Sequence, residues 1–237
     1  MTAPIVQMQG WPVVEARIEG RSARILMDTG ASSIVVSAAL LGLRDRAWHT
    51  LAELCIGELC IDEATVWAED NQLVTATPGD LQVHGLIGMS LLRYGVLELD
   101  HGRTIRFGFR DEVCAGTAIP VSFDDSGRPL AAAAIDGAGL GPVLLDSGAL
   151  YTVLADQTVD RLAPYLRDSA MPTTACDVSG CNQSASLGLL REVCVGTQCE
   201  QMVDVKFPVW DAIGNSFLTR GRYAFHPHAS ELVRCAD

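Results

Sequence analysis

The chain has 237 residues, 29 of them acidic and 17 basic, for a formal charge of −12, and is 49% apolar against 19% charged. This length and apolar content suffice for a sizeable core and set the chain apart from disordered sequences. The negative balance argues against a nucleic-acid partner or an anionic membrane surface.

The first residues, MTAPIVQMQG, lack a basic start and a long apolar run, so no signal peptide is expected within them. Pro12 to Ile18 and Arg24 to Met27 then read as apolar strands joined by a turn at Glu19-Gly20. The second strand runs into Asp28-Thr29-Gly30-Ala31. A short helix is expected over Ser37 to Leu43, a strand over Ala64 to Ala68 and a second short helix over Leu91 to Gly95. Next comes the longest apolar stretch, Pro129 to Leu145, which Asp136 and several glycines interrupt. No run reaches the roughly 18 residues of a spanning helix, so no membrane span is expected. A helix over Asp156 to Leu166 and a strand over Gln201 to Pro208 complete the pattern.

The order of these features repeats. ARIEGRSARILMDTGAS (Ala16 to Ser32) is answered by AAIDGAGLGPVLLDSGAL (Ala133 to Leu150), LCIGELC (Leu54 to Cys60) by VCVGTQC (Val193 to Cys199), and LIGMSLL (Leu86 to Leu92) by AIGNSFL (Ala212 to Leu218). Three matched features in one order imply two homologous lobes, residues 1–113 and 117–237, linked near Cys114. The expected architecture is all-β, with two β-barrel-like lobes, a cleft between them and a few short helices.

Six of the eight cysteines form pairs with four residues between partners: Cys55/Cys60, Cys176/Cys181 and Cys194/Cys199. Across a hairpin with a four-residue connection, residues i and i+5 face each other at a separation that suits a disulfide. Elimination leaves Cys114 with Cys235. On the chain-entropy view a short clip contributes roughly 2 kcal/mol and the long closure roughly 5 kcal/mol. Zinc ligation and reduced buried thiols are the other readings, although zinc sites favour CxxC pairs with histidine nearby. Bridged cysteines imply an oxidising, extracytoplasmic compartment, either periplasmic or secreted.

An apolar strand that ends in Asp-Thr/Ser-Gly-Ala carries a carboxylate into a low-dielectric place, where the glycine lets the backbone turn and the hydroxyl can bond to a partner loop. Two such loops would set Asp28 and Asp146 face to face. Like charges that close cannot both ionise, so the pair would hold one proton and titrate as a unit. One member can then act as base on a water while the other donates a proton, which is the chemistry of peptide hydrolysis without a covalent intermediate. A lone Asp-Thr-Gly is more often an ordinary turn, and two aspartates could instead hold magnesium or calcium. The second idea lacks further oxygen ligands beside either motif, and neither a metal nor a cofactor is expected.

On these motifs the chain resembles the aspartic proteases over nearly its whole length, with two pepsin-like lobes in one chain and retropepsin-like Ala31, Ala149, IGMSLL and IGNSFL. The resemblance implies an endopeptidase that acts on peptide or protein substrates as a monomer. It makes Asp28 and Asp146 the catalytic pair, Thr29 and Ser147 an interlocked hydroxyl grip, and Gly30 and Gly148 the shapers of the two loops. Ser32, Ser33, Leu150 and Tyr151 fall where family members hold the substrate backbone. A silent peptide-binding protein on the same scaffold is the alternative.

Departures from the family pattern add three expectations. Ala31 and Ala149 stand where pepsins place a hydroxyl that stabilises the charged carboxylate, so the activity optimum is expected at mildly acidic pH. Leu150 and Tyr151 replace polar groups, which implies a cleft with one apolar side. The interval from Asp146 to Cys194 is long enough for a covering hairpin around Thr173 to Ser186, clipped by Cys176/Cys181, whereas that from Asp28 to Cys55 is too short. A stretch between Trp67 and Leu86, with Pro78 and Gly79, is the other candidate cover. The five histidines show no metal or triad spacing, Trp11, Trp48, Trp67 and Trp210 read as core or cleft-wall residues, and Ser90 and Ser216 lack a nucleophile-elbow context.

Overall fold

The computed structural model describes residues 2–4, 10–69, 83–109, 114–177 and 180–236. Its elements are strands and a few one- or two-turn helices, so the all-β expectation holds.

Strand Val13–Ile18 turns back into Arg21–Met27 through Glu19 and Gly20, both in the left-handed region (φ 49° and 73°). Two positive φ values in a row make the tight turn whose twist matches the flanking strands. Asp136 and Gly137 do the same (φ 49° and 79°) between Pro129–Ile135 and Ala138–Leu145. Alternation of buried and exposed residues along Val13–Ile18 sends Val14, Ala16 and Ile18 inward, as a half-buried strand requires.

In the first half, Val13–Ile18, Arg21–Met27, Gly85–Ile87, Val35–Ser37, Leu59–Glu69 and Ala47–Ile56 pair in that order and close into a barrel. The second half repeats the ring with Pro129–Ile135, Ala138–Leu145, Ala212–Ile213, Thr152–Val153, Gln198–Phe207 and Gly180–Val195, the last pairing back to the first. A six-stranded sheet joins the halves, in the order Thr2–Pro4, Thr104–Gly108, Val96–Asp100, Arg222–His226, Glu231–Cys235 and Gly116–Pro120. Three of its strands come from each half, and Leu97 faces Phe225 across its centre. One apolar cluster is continuous through all three parts, from Val14 and Met27 through Leu97, Phe107 and Phe225 to Leu145 and Val205. Burying each such side chain stabilises the fold by roughly 1.5–3 kcal/mol.

Three of the expected disulfides are present: Cys55–Cys60, Cys194–Cys199 and Cys114–Cys235. The Cys176 and Cys181 side chains lie outside the described residues. The hairpin connections are tighter than a four-residue loop. Ile56 pairs with Leu59 and Val195 with Gln198, leaving two-residue turns begun by Gly57 and Gly196 at φ 58° and 56°. The cysteines therefore face each other as the second residue pair from each turn.

The helix expected over Asp156 to Leu166 is two pieces, Asp156–Leu162 and Leu166–Ser169, because Pro164 cannot continue a helical hydrogen-bond ladder. Of the other two, the first shrinks to Ala38–Leu41, capped by Ser37, and the second lies earlier than expected, at Met89–Leu92, overlapping the expected Leu91 to Gly95 only at its start. Trp48 and Trp210 are surface residues, 61% and 44% exposed, and neither belongs to the core. The hairpin expected around Thr173 to Ser186 is formed by Met171–Asp177 against Gly180–Val195, with Pro172 opposite Ser186 and Thr174 opposite Ser184. No equivalent strand precedes Ala47–Ile56 among the described residues. Most of the stretch from Trp67 to Leu86, Pro78 and Gly79 included, lies outside them.

Candidate functional site

Each aspartate is delivered by the end of an apolar strand and locked by its neighbour in the sheet. Asp28 N donates to Ile87 O and Asp146 N to Ile213 O, both at 2.9 Å. Ile87 and Ile213 open the two Ile-Gly-x-Ser segments, so the third sequence repeat fixes the backbone of the first. The loop beyond each aspartate is tied to the following helix: Met89 N donates to Ala31 O and Asn215 N to Ala149 O, both at 2.8 Å.

The tips of the two loops interlock. Thr29 N donates to Ser147 Oγ and Ser147 N to Thr29 Oγ1, both at 3.0 Å. Each hydroxyl then donates onward to the opposite strand, Thr29 Oγ1 to Leu145 O at 2.6 Å and Ser147 Oγ to Met27 O at 2.7 Å. Thr29 and Ser147 are buried, so these four bonds are shielded from water.

The grip brings the carboxyl groups of Asp28 and Asp146 together, each seated against the glycine of the opposite loop and close enough to act on the other's protonation. On each side one oxygen is held by two backbone donors. Gly30 N and Ala31 N reach Asp28 Oδ1 at 2.8 and 3.1 Å, and Gly148 N and Ala149 N reach Asp146 Oδ1 at 2.9 and 3.1 Å. Both glycines are required by space: a Cβ on Gly30 would lie 2.4 Å from Asp146 Cγ, and one on Gly148 would lie 2.4 Å from Asp28 Cγ.

Burial, and then the neighbouring Asp146 charge, push the Asp28 carboxyl well above the usual carboxylate range, against the pull of the Gly30 and Ala31 amides. Burial also raises Asp146, while the hydrogen bond from Asp28 and the Gly148 and Ala149 amides lower it. The pair therefore holds one proton above the ordinary carboxylate range, and Asp28 is its stronger seat. No third histidine, cysteine, aspartate or glutamate among the described residues joins the pair in a ligand-sized cluster. Two such clusters exist elsewhere, Glu53/Cys55/Cys60 and Glu192/Cys194/Cys199, but their sulfurs are tied up as disulfides and offer no thiolate.

Of the other residues singled out in the sequence, Ser32 is exposed and Ser33 half-buried beside the first loop, and Leu150 and Tyr151 are half-buried beside the second. The second side is less apolar than Leu150 suggests, because Lys206 lies over the Tyr151 ring at 5.0 Å. Ser216 is structural: its hydroxyl donates to Asp204 O and accepts from Thr152 N. His84 is structural too, with Nδ1 accepting from Arg24 N.

Two residues were missed in the sequence. Asn215, buried, donates from Nδ2 to Ser147 O at 2.7 Å and supports the second loop from behind. Its place in Ile-Gly-x-Ser is held by Met89 in the first half, and that asymmetry was the available signal. Lys206 is the other, and it is the single lysine of the chain. No protein-family model matches the chain, and no curated protein matches it.

Proposed function

We propose that the chain is a single-chain aspartic endopeptidase in which two homologous, pepsin-type lobes, residues 1–113 and 117–237, each supply one catalytic carboxyl group. The observation that carries this reading is the Asp28–Asp146 pair, brought together across a buried interlock of Thr29 and Ser147. Two carboxyl groups held together away from water are costly to keep, and groups with pKa values perturbed in this way cluster at sites where proton transfer is needed.

In this mechanism a water lies between the carboxyl groups. Asp146, the more acidic member, takes a proton from it as its oxygen attacks the scissile carbonyl carbon, while Asp28 gives its proton to the carbonyl oxygen. In the neutral tetrahedral diol that results, Asp28 recovers a hydroxyl proton as the carbonyl reforms. Asp146 passes its proton to the amide nitrogen, and the C–N bond breaks. The dyad ends in its starting state. The Gly30, Ala31, Gly148 and Ala149 amides hold one oxygen of each carboxyl group in place throughout.

The disulfides and the absence, among the described residues, of a helix long and apolar enough to cross a membrane support an extracytoplasmic setting. Both aspartates lie in one chain, which supports action as a monomer.

The test is cleavage of denatured casein and of a peptide library between pH 3 and 7, with and without a pepstatin-like inhibitor, by the parent protein and by Asp28→Asn. Inhibitor-sensitive cleavage that vanishes in the variant is expected. The rival reading, a silent peptide-binding protein, draws on Leu150 and on the absence, among the described residues, of a first-half strand equivalent to Met171–Asp177. Peptide binding without cleavage, unaltered in Asp28→Asn, would establish it.

A further inference from the structure

Val35 and Val153 stand the same distance after Asp28 and Asp146. Each lies in a short strand paired in parallel with the second strand of its half's disulfide-clipped hairpin, and the residues opposite them are Trp67 and Lys206. Val35, like Ala31 of the first aspartate loop and Trp11, packs against a small cluster of Val13, Leu26, Val83 and Leu86, separate from the main core. By the repeat, Val153 and Lys206 lie on the corresponding face of the second half, beside the Asp146 loop. Val153 is buried yet belongs to none of the apolar clusters, consistent with that placement.

Two contacts define the Lys206 environment. Nζ donates to Thr174 O at 3.0 Å, on the second-half hairpin, and sits 5.0 Å from the centre of the Tyr151 ring. The alternating strand sends Val205 into the core and Lys206 away from it. Lys206 thus bridges the hairpin to the end of the loop that carries Asp146. Its ammonium has no carboxylate partner among the described residues, although the protein carries 29 acidic groups and its arginines find them readily, as Arg17, Arg46, Arg106, Arg128, Arg167 and Arg222 do. Burial lowers its pKa, the direction that a facing carboxylate would reverse.

We infer that Lys206 is a specificity-determining residue that pairs with an acidic side chain of the substrate, so that the site prefers peptides with Asp or Glu on the second-half side of the scissile bond. Across the cleft, the equivalent position offers the indole of Trp67, edge-on to Trp48 at 5.4 Å, and favours an apolar or aromatic residue. The inference rests on the endopeptidase reading. An ammonium with one hydrogen bond retains two donors for a carboxylate, and such charge-assisted hydrogen bonds are stronger than neutral ones.

The experiment uses end-blocked peptides that differ only in Glu against Gln at each position around the cleaved bond, with a second set bearing a free C-terminal carboxylate. Parent kcat/KM is expected to favour Glu at one position by roughly ten- to a hundredfold. That ratio should fall to about one in Lys206→Met, persist in Lys206→Arg and invert in Lys206→Glu. A merely structural lysine, pinning the hairpin through Thr174 O, would slow Glu and Gln peptides alike and leave the ratio intact. A parent ratio near one at every position of the blocked set overturns the inference while the hydrolase reading stands. A preference confined to the free-carboxylate set overturns the side-chain form of the inference. If the parent cleaves nothing, the endopeptidase reading fails. Binding of the same Glu and Gln peptides to Asp28→Asn, read by fluorescence anisotropy, then decides the role of Lys206 separately.

Discussion

Thr29 and Ser147 each accept the other's backbone N–H at 3.0 Å, and each hydroxyl donates to the carbonyl at the end of the opposite strand. Four buried bonds thus depend on two hydroxyl groups from opposite halves of the chain. Thr29→Val keeps the side-chain volume but strands Ser147 N and Leu145 O in a dry place. A loss of roughly 2–4 kcal/mol is expected from urea denaturation, against less than about 1 kcal/mol for Thr29→Ser, which restores both bonds. Equal losses for the two variants would show that packing, and not the interlock, holds the loops.

Gly30 and Gly148 have no room for a methyl group. The carboxyl group each would strike is fixed by two amides and the opposing acid, so it cannot swing aside as a flexible chain end would. Gly30→Ala is therefore expected to push Asp146 out of register with Asp28 and lower kcat/KM at least about 100-fold. A parent-like rate would mean that the pair does not act as a unit.

Much of this site was legible because its chemistry is written in residues whose roles are local. Asp-Thr-Gly and Asp-Ser-Gly each end an apolar strand, and Ile87 and Ile213 recur at matching points to receive the aspartate amides. Cross-strand cysteines were legible for the same reason, since hairpin register is short-range. Pairing between halves left no such trace. Nothing local says that Leu97 faces Phe225, or that the hydroxyls of Thr29 and Ser147 bond across the interface rather than within their own turns. Lys206 was invisible because its meaning comes from a parallel strand partner, Val153, far away in sequence. The break at Pro164 was readable and was overridden by the apolar stripe of Val159, Leu162, Ala163 and Leu166.

The raised pKa values of the pair set a sign for stability against pH. An acid whose folded value lies above its ordinary 3.8 stabilises the fold fully below 3.8 and loses that contribution as pH rises through the folded value. Asp28→Asn removes that loss, so its Tm is expected to exceed the parent's at pH 7 and the gain to shrink as pH falls below 4. Activity should follow the singly protonated pair and decline on the alkaline side as Asp28 gives up its proton, placing the optimum at mildly acidic pH. Paired melting curves and a rate profile test both. A Tm gain that is constant from pH 3 to 7, or a rate still climbing below about pH 3, contradicts this account of the dyad.

Glu98 ties the halves together within the shared sheet. It lies on Val96–Asp100, its side chain is 6% exposed, and it accepts from Arg222 of the adjoining second-half strand at 2.7 Å and from Arg106. Burial alone would raise its pKa, but the hydrogen bonds and charges of Arg222 and Arg106 prevail and hold it below the ordinary 4.5. A lowered acid stabilises the fold fully above 4.5 and loses the contribution as pH falls through the folded value. Glu98→Gln removes the charge and leaves two arginines facing a neutral group in a buried place. A loss of about 3 kcal/mol is expected at pH 7, measured by urea denaturation. The gap between parent and variant should narrow as the pH drops below 4, where the parent carboxylate also gains its proton. A gap of the same size at pH 7 and pH 2 would assign the loss to packing in the shared sheet and remove the ion pairs from the link between the halves.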